Sequence, residues 1–388
     1  MRYLLDPIRE FATTKLVLLT GPRQVGKTTL AKAWLGNAGG LYLNWDVPAD
    51  REAILSRRFL ERRDLGAVVL DELHKYPRWK SWLKGLYDRD APYLPAVVTG
   101  SARLDLFQRG GDSLLGRYER LRLHPFSIGE LTHGRLVAPP DDWLTAGTDD
   151  DQPATWDRLE ARGGFPEPYT RNDPRQHRRW STQRRTVLVR EDLRDLSQVR
   201  QLALVEHLAL LLPGRVGAPL SVNALREELE VGHDTVTSWL ELLERLYYCY
   251  RVKPYSRRIA RGLKKEQKLY LWDWSQIDAP GPRFENMVAS HLLKAVHAWS
   301  DLGYGEFELL YLRDKEKREV DFVLTDRRRP VVLVECKVSD ERPSEGLLRY
   351  REQLGGLPAV QLVRAPGVDR SGRGVRVVSA ARFLAAFP

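Results

Sequence analysis

The segment Gly21-Pro22-Arg23-Gln24-Val25-Gly26-Lys27-Thr28-Thr29 constrains this chain more than any other stretch. It follows the apolar run Leu16-Val17-Leu18-Leu19 and opens a helical pattern through Leu30, Ala31, Ala33, Trp34 and Leu35. Glycines let the backbone curl around a phosphate without a Cβ in the way. The loop N–H groups and the following helix N-terminus then favour negative charge. The spacing G-x-x-x-x-G-K-[ST] in a strand–loop–helix setting therefore predicts a bound nucleoside triphosphate, held by Gly21, Gly26, Lys27, Thr28 and Thr29. Lys27 is expected on the β- and γ-phosphates, and the Thr28 hydroxyl on Mg²⁺.

A second strand pattern points from binding to hydrolysis. Ala67-Val68-Val69-Leu70 is a buried-type run that ends in Asp71-Glu72. Ligands gather at the carboxyl ends of parallel strands. Asp71 is thus placed to hold the metal shell, and Glu72 to orient or deprotonate the attacking water. A third run, Pro95 to Val98, ends in Thr99-Gly100-Ser101. Thr99 or Ser101 could touch the γ-phosphate or the water; either is equally an ordinary strand-to-helix cap.

At 388 residues the chain exceeds one ordinary core and suggests several domains. No apolar run approaches the ~20 residues needed to cross a bilayer, and the N-terminus lacks the pattern of a secretory signal. The two cysteines, Cys249 and Cys336, are far apart, which indicates neither a disulfide framework nor a thiolate metal site. A cytoplasmic location is expected, with no membrane partner. The net charge of +10 points to polyanions. Positive residues cluster in three places: Arg171, Arg175, His177, Arg178, Arg179, Arg184 and Arg185; Lys253, Arg257, Arg258, Arg261, Lys264, Lys265 and Lys268; and Arg327 to Arg329. Three separate clusters favour DNA as a partner.

Alternating strand and helix patterns over 1–135 indicate an α/β domain with a largely parallel sheet. Its candidate strands are 15–20, 41–45, 66–71, 94–100 and 119–124. Residues 137–151 read as an acidic, turn-rich linker. Helical patterns fill 155–213, a connector or lid. A helix–turn–helix pattern follows in 214–275, with Val222, Leu225 and Leu229 on one face and Val236, Trp239, Leu240, Leu243 and Leu246 on the next. Asp234 is the expected N-cap of its second helix. The aromatic strand from Tyr247, the basic loop and Lys268-Leu269-Tyr270-Leu271 would form the wing of a winged helix. The second helix exposes Thr235, Thr237, Ser238 and Glu241, which suits coupling within the protein as well as groove reading; the basic wing is the better DNA candidate.

From 280 to 388 the pattern is helix, three strands, helix, two strands and a terminal helix. Asp321 lies on the second strand, and Glu335-Cys336-Lys337 ends the third. Alternation puts Glu335 and Lys337 on one face, where Asp321 can join them from a paired strand. Carboxylates so placed make a hard-cation site, and a neighbouring lysine can stabilise a leaving charge. Glu285 on the preceding helix is a further candidate. The order suggests a restriction-endonuclease-like fold. An ion pair in a module that binds DNA without cutting it fits the same residues.

Several phrases together resemble one family: the phosphate loop, Leu70-Asp71-Glu72-Leu73-His74-Lys75-Tyr76-Pro77, Thr99-Gly100-Ser101, Gly163-Gly164-Phe165-Pro166-Glu167-Pro168, and Val320-Asp321-Phe322-Val323 with Glu335-Cys336-Lys337. The chain resembles, over nearly its whole length, the prokaryotic AAA-type ATPases with a C-terminal domain of unknown function. The resemblance implies an AAA core, a helical and winged-helix middle and a restriction-endonuclease-like end, with ATP and Mg²⁺ as cofactors. It also implies a homo-oligomer, with a hexameric ring as one form, that hydrolyses ATP at subunit interfaces through a neighbour's arginine. Arg117 best matches that arginine, and Arg103 is the runner-up. Neither chemical motif departs from its pattern. The expected activity is a DNA-dependent ATPase on duplex or branched DNA, four-way junctions included. The alternatives are a Mg²⁺-dependent nuclease regulated by ATP and a nucleotide-switched interaction protein.

Overall fold

The computed structural model describes residues 2–36, 40–62, 64–90, 94–100, 114–188, 201–256, 266–339 and 342–388. It divides into two compact units, Met1–His124 and Pro125–Pro388. Ser101, Arg103 and the loop residues Arg257, Arg258, Arg261, Lys264 and Lys265 lie outside the described residues.

In the first unit α1 (Leu5–Phe11) precedes β1 (Leu16–Thr20) and α2 (Lys27–Leu35). There follow β2 (Leu41–Asn44), α3 (Pro48–Ser56), β3 (Val68–Asp71), α4 (Trp79–Asp90), β4 (Ala96–Thr99) and β5 (Tyr118–Arg122). The strands form one sheet, order β2-β3-β4-β1-β5, parallel throughout. Strands β1, β3 and β4 are buried along their length. A strand with no solvent face has nothing to alternate toward, which is why these three read as unbroken apolar runs. Leu43, Leu70, Val98 and Leu18 stand in register across four neighbouring strands. They pack with Ile54, Leu83 and Leu86 in one core, each burial stabilising by about 1.5–3 kcal/mol. Because every strand runs the same way, Thr20, Asn44, Asp71 and Thr99 end at one edge of the sheet. That edge carries the chemistry.

The second unit begins with α5 (Ile128–His133), α6 (Pro153–Arg162), α7 (Pro166–Arg171), α8 (Pro174–Val187) and α9 (Leu202–Leu211). The helix pair α10 (Val222–Leu229) and α11 (His233–Arg245) leads to a hairpin of β6 (Cys249–Pro254) and β7 (Lys268–Leu271). Then come α12 (Pro280–Asp301), β8 (Phe307–Arg313), β9 (Glu319–Asp326), β10 (Arg329–Lys337), α13 (Glu345–Gln353), β11 (Ala359–Val363), β12 (Asp369–Gly372), β13 (Val375–Ser379) and α14 (Ala380–Leu384). Eight strands form one mixed sheet, order β12-β13-β11-β10-β9-β8-β6-β7. The strands expected as a wing thus extend the C-terminal sheet, through parallel pairing of Lys253 and Pro254 with Leu310 and Tyr311.

Helix α12 buries Phe284, Met287, Val288, His291, Leu292, Ala295, Val296 and Trp299. That spacing is the broad stripe of a helix laid on a core. Of the residues its periodicity indicates, the α10–α11 pair buries Leu225, Leu229, Val236, Trp239, Leu240 and Leu243, with Leu246 just beyond, while Val222 is half-buried. Its turn passes through Glu230 at φ 55°. Helix α11 starts earlier than expected, with Gly232 as N-cap, so Asp234 lies in the first turn and faces the dipole instead of capping it. The stretch 137–151 has no helix or strand, as a linker would, yet it anchors itself. Trp143 is buried against Trp299 and Phe387, and Trp299 Nε1 donates to the Val137 carbonyl at 2.8 Å.

Candidate nucleotide site and the C-terminal carboxylate cluster

The loop after β1 is built on positive φ angles: Gly21 at 140°, Gln24 at 62° and Gly26 at 98°. A Cβ on Gly21 would lie 2.3 Å from the Leu123 carbonyl oxygen, so only glycine allows this approach. Gly26 caps α2 in the left-handed region, leaving the first N–H groups of the helix without intrahelical acceptors. Lys27, 8 % exposed, donates through Nζ to the carbonyls of Gly21 (2.9 Å) and Pro22 (2.7 Å). Both of these acceptors are neutral and lie within the loop. Thr28 follows at the helix start, and Thr29 is exposed.

The structure brings Asp71 to Thr28. Asp71, 3 % exposed, ends β3. Its Oδ2 accepts from Thr28 Oγ1 at 2.8 Å and from the Tyr42 hydroxyl at 2.6 Å. Its Oδ1 accepts from Thr99 Oγ1. Burial, then the hydrogen bond to Asp71, raises the Tyr42 phenol above its ordinary range and keeps it a donor. Sequence reasoning missed Tyr42; it ends no motif, and only the pairing of β2 with β3 brings it to Asp71. A magnesium nucleotide fits these residues: a cradle that a Cβ would fill, a lysine on neutral acceptors, and a hydroxyl paired with a buried carboxylate. Magnesium at Thr28 and Asp71 would supply charge neutralisation to the phosphates.

Glu72 is adjacent but engaged elsewhere. It adopts φ 57°, uncommon for a residue with a side chain, and its N–H donates to Thr99 O at 3.2 Å. Its carboxylate Oε2 lies 3.4 Å from Lys75 Nζ and 3.7 Å from His74 Nε2. Lys75 also pairs with Asp46 at 2.5 Å. Beside this network Trp45 stacks on Tyr76, ring centroids 4.9 Å apart, and donates its backbone N–H to the Asp71 carbonyl at 3.0 Å. Arg117 lies at the other end of the sheet. Its carbonyl accepts from Leu16 N, at the start of β1, and its guanidinium pairs with Asp88 at 2.6 Å. Across the length of β1 it is removed from the phosphate loop of its own chain.

In the second unit the structure adds a residue to the expected constellation. Lys268, on β7 and wholly buried, places Nζ 2.9 Å from Glu285 Oε1, 2.5 Å from Glu319 Oε1 and 3.3 Å from Asp321 Oδ1. Burial works against this ammonium. Glu285, Asp321 and Glu319 outweigh it and hold the lysine above its ordinary pKa. Tyr270 donates to Glu285 Oε1 at 2.7 Å, the Cys336 N–H to Asp321 Oδ2 at 2.9 Å, and Arg313 to Glu319 Oε2 at 2.8 Å. Glu335 stands apart, paired with Lys337 at 3.1 Å. Its Oε2 is buried with no hydrogen-bond partner among the described residues, and burial, then Asp321, pushes its carboxyl up to about 7. Burial, then Asp321, likewise raises Glu285 to about 7.

A divalent cation does not fit at the centre of this arrangement, because one oxygen of each of Glu285, Glu319 and Asp321 is already committed to Lys268. No group of three or more His, Cys, Asp or Glu suited to a metal occurs among the described residues. Lys268 had read as part of a basic wing. The signal that could have placed it is alternation: Lys268 and Tyr270 share one strand face, as do Glu319 and Asp321.

Two other expected cations also turn inward. Arg184 is 3 % exposed, donates to the Tyr247 carbonyl at 3.2 Å and lies over the Phe165 ring. His177 contacts Ser275 Oγ at 2.9 Å. Arg175, Arg178 and Arg179 remain exposed on α8, and no carboxylate pairs with them among the described residues. No helix among the described residues is long and apolar enough to cross a membrane.

A parallel sheet with its phosphate loop after β1 and a buried aspartate ending β3 defines a P-loop nucleotide-binding domain of the AAA type. Residues 13–132 match the AAA domain family. Residues 154–277 match a domain of unknown function (DUF8612), and 280–383 another (DUF4143). The chain is 26 % identical over 260 residues to an uncharacterized protein of Mycobacterium tuberculosis, covering 66 % of this chain and 54 % of the relative. It thus spans about half the length of that relative. An uncharacterized protein of Haemophilus influenzae is 22 % identical over 296 residues, 70 % of either chain. Among solved structures, a variant of the Thermotoga maritima protein RuvB aligns at 15 % identity and TM-score 0.32, over 64 % of this chain and 88 % of that one. That likeness is too slight to bear on function.

Proposed function

We propose that this protein is a cytoplasmic, homo-oligomeric ATPase whose ATP turnover is driven by DNA, duplex or branched. The observation that carries the DNA reading is the exposed face of α8. Arg175, Arg178 and Arg179 recur at helical spacing, and Thr182 and Gln183 extend the same face as polar residues. Exposed arginines in a row, with no ion pair among the described residues, are suited to phosphate oxygens. Helix α11 supports the same assignment from the other side. Its exposed face presents Asp234, Ser238 and Glu241, and the two carboxylates repel a phosphate backbone.

For turnover, Asp71 and Thr28 would hold the metal, Lys27 the phosphates, and Glu72 the attacking water once it leaves Lys75. The remoteness of Arg117 from its own phosphate loop favours action on a neighbour's nucleotide. Leu115, 78 % exposed beside it, is an apolar group suited to a subunit contact. The test is steady-state ATP hydrolysis with linear duplex, single-stranded and four-way-junction DNA, comparing wild type with Arg175→Ser/Arg178→Ser/Arg179→Ser. Stimulation by one DNA form, lost in the triple variant, is expected. Hydrolysis that depends on Lys27 but ignores every DNA would turn the reading to a nucleotide-switched interaction protein.

A further inference from the structure

The second unit carries the residues expected of a metal-dependent nuclease, Asp321, Glu335 and Lys337 with Glu285, around a lysine that the expectation did not include. We infer that Lys268 is the resident cation of this constellation, an internal ammonium standing where a divalent ion would otherwise bind, and that the domain performs no metal-dependent strand cleavage.

Around Lys268, each oxygen of Glu285, Asp321 and Glu319 has an assigned donor except one; beyond them, Glu335 Oε2 is also buried without a donor among the described residues. Glu285 Oε1 takes Lys268 and Tyr270. Asp321 Oδ1 takes Lys268, and Oδ2 the backbone N–H of Cys336. Glu319 Oε1 takes Lys268, and Oε2 Arg313. The exception is Glu285 Oε2, which faces Gly217. A Cβ there would lie 3.0 Å from it. The space on that side is a cavity of about 390 Å³, lined by Val216, Ala218, Phe284, Cys336 and Val338 among others, and Glu285 is its single carboxylate. One oxygen facing apolar walls is a poor seat for a hard cation, which takes six or more oxygen ligands. Entry at the cluster centre would require expelling Lys268, whose stem is wholly buried. Glu335, the other expected ligand, pairs with Lys337 through Oε1, which leaves one oxygen for a cation.

A buried network hydrogen-bonded in this way holds its members in place. The backbone also explains why the lysine comes from outside the D…E-x-K motif. Strand β7 pairs with β6, and β6 joins β8, so the hairpin is built into the same sheet as Glu319 and Asp321. The inference concerns metal binding and stands whether or not the protein acts on DNA.

The experiment is Mn²⁺ binding to the full chain without nucleotide, read by electron paramagnetic resonance. Wild type is compared with Asp321→Asn, with Lys268→Gln and with the double variant. Wild type and Asp321→Asn are expected to bind Mn²⁺ equally. Lys268→Gln is expected to gain one equivalent, and the double variant to lose it again. A wild-type site abolished by Asp321→Asn would overturn the inference, as would a folded Lys268→Gln that gains nothing. Should Lys268→Gln fail to fold, acylation of the native wild-type protein decides, with modified lysines mapped by mass spectrometry. Lys268 protected equally with and without about 10 mM Mn²⁺, a concentration above the range of weak carboxylate sites, supports the assignment. Mn²⁺-induced exposure of Lys268 overturns it.

Discussion

Lys27 and Lys268 are both buried lysines at the edges of sheets, and they are held in opposite ways. Lys27 donates to the neutral carbonyls of Gly21 and Pro22. Lys268 faces Glu285, Glu319 and Asp321. A lysine on loop carbonyls gives up little when a polyphosphate arrives, because dipoles are exchanged for full charges. A lysine inside a carboxylate cage cannot be drawn away without leaving anions unpaired in a poor solvent. The first lysine rests on dipoles, and the second on full charges. Residue types alone did not separate them, since Lys268 lies outside the D…E-x-K spacing and reads as one of a basic run.

The largest break in this comparison is expected from Lys27→Ala, which removes the cation that meets the phosphates. ATP turnover is expected to fall by roughly 10³-fold or more, with melting temperature nearly unchanged. Glu72→Gln comes next. It is expected to retain ATP affinity while turnover drops by roughly 10²-fold; normal turnover would remove Glu72 from the chemistry.

At the closed site the readout is stability. Lys268→Met is expected to destabilise the second unit by about 3–5 kcal/mol, since uncompensated carboxylates remain, and urea unfolding checks this. A smaller effect comes from His291 on α12. Its Nδ1 donates to Met287 O at 2.7 Å and its Nε2 accepts from Ile128 N at 3.0 Å, which fixes the neutral form. Burial lowers its pKa from 6.5 to about 4, opposed by the Met287 carbonyl, with Lys294 adding to the decrease. The unfolded chain therefore binds the extra proton first, and stability is lost as pH falls through that window. About 2 kcal/mol is expected to disappear between pH 7 and pH 5, and His291→Gln is expected to lack that component. The smallest effect belongs to the surface. Each of Arg175, Arg178 and Arg179 replaced by serine is expected to lower the salt dependence of DNA binding by about one in log–log slope.

Where one strand or one loop carries the information, the sequence was readable. The phosphate loop, the strand ending in Asp71, and most of the buried faces of α10 and α11 follow from local pattern. What escaped was anything that depends on which strands lie side by side. Tyr42 joins Asp71 only because β2 pairs with β3. Lys268 joins Asp321 only because the hairpin extends the C-terminal sheet. In the sequence its neighbours are Lys264 and Lys265, which made it look like part of a solvent-exposed run. Trp143 was hidden for a similar reason: prolines and aspartates around it break periodicity, and its partners Trp299 and Phe387 are far along the chain.

The stack of Trp45 on Tyr76 has an optical consequence. Tyr76 follows Lys75, the residue that engages Glu72, while Trp45 is tethered by its own N–H to the carbonyl of Asp71. Any rearrangement that frees Glu72 for a nucleotide pulls on one ring of the pair while the other stays fixed. Trp45 emission is therefore expected to change when nucleotide fills the loop. Because the chain has 11 tryptophans, the signal of interest is the part that Trp45→Phe removes, and that difference converts occupancy into a colour change without any added label.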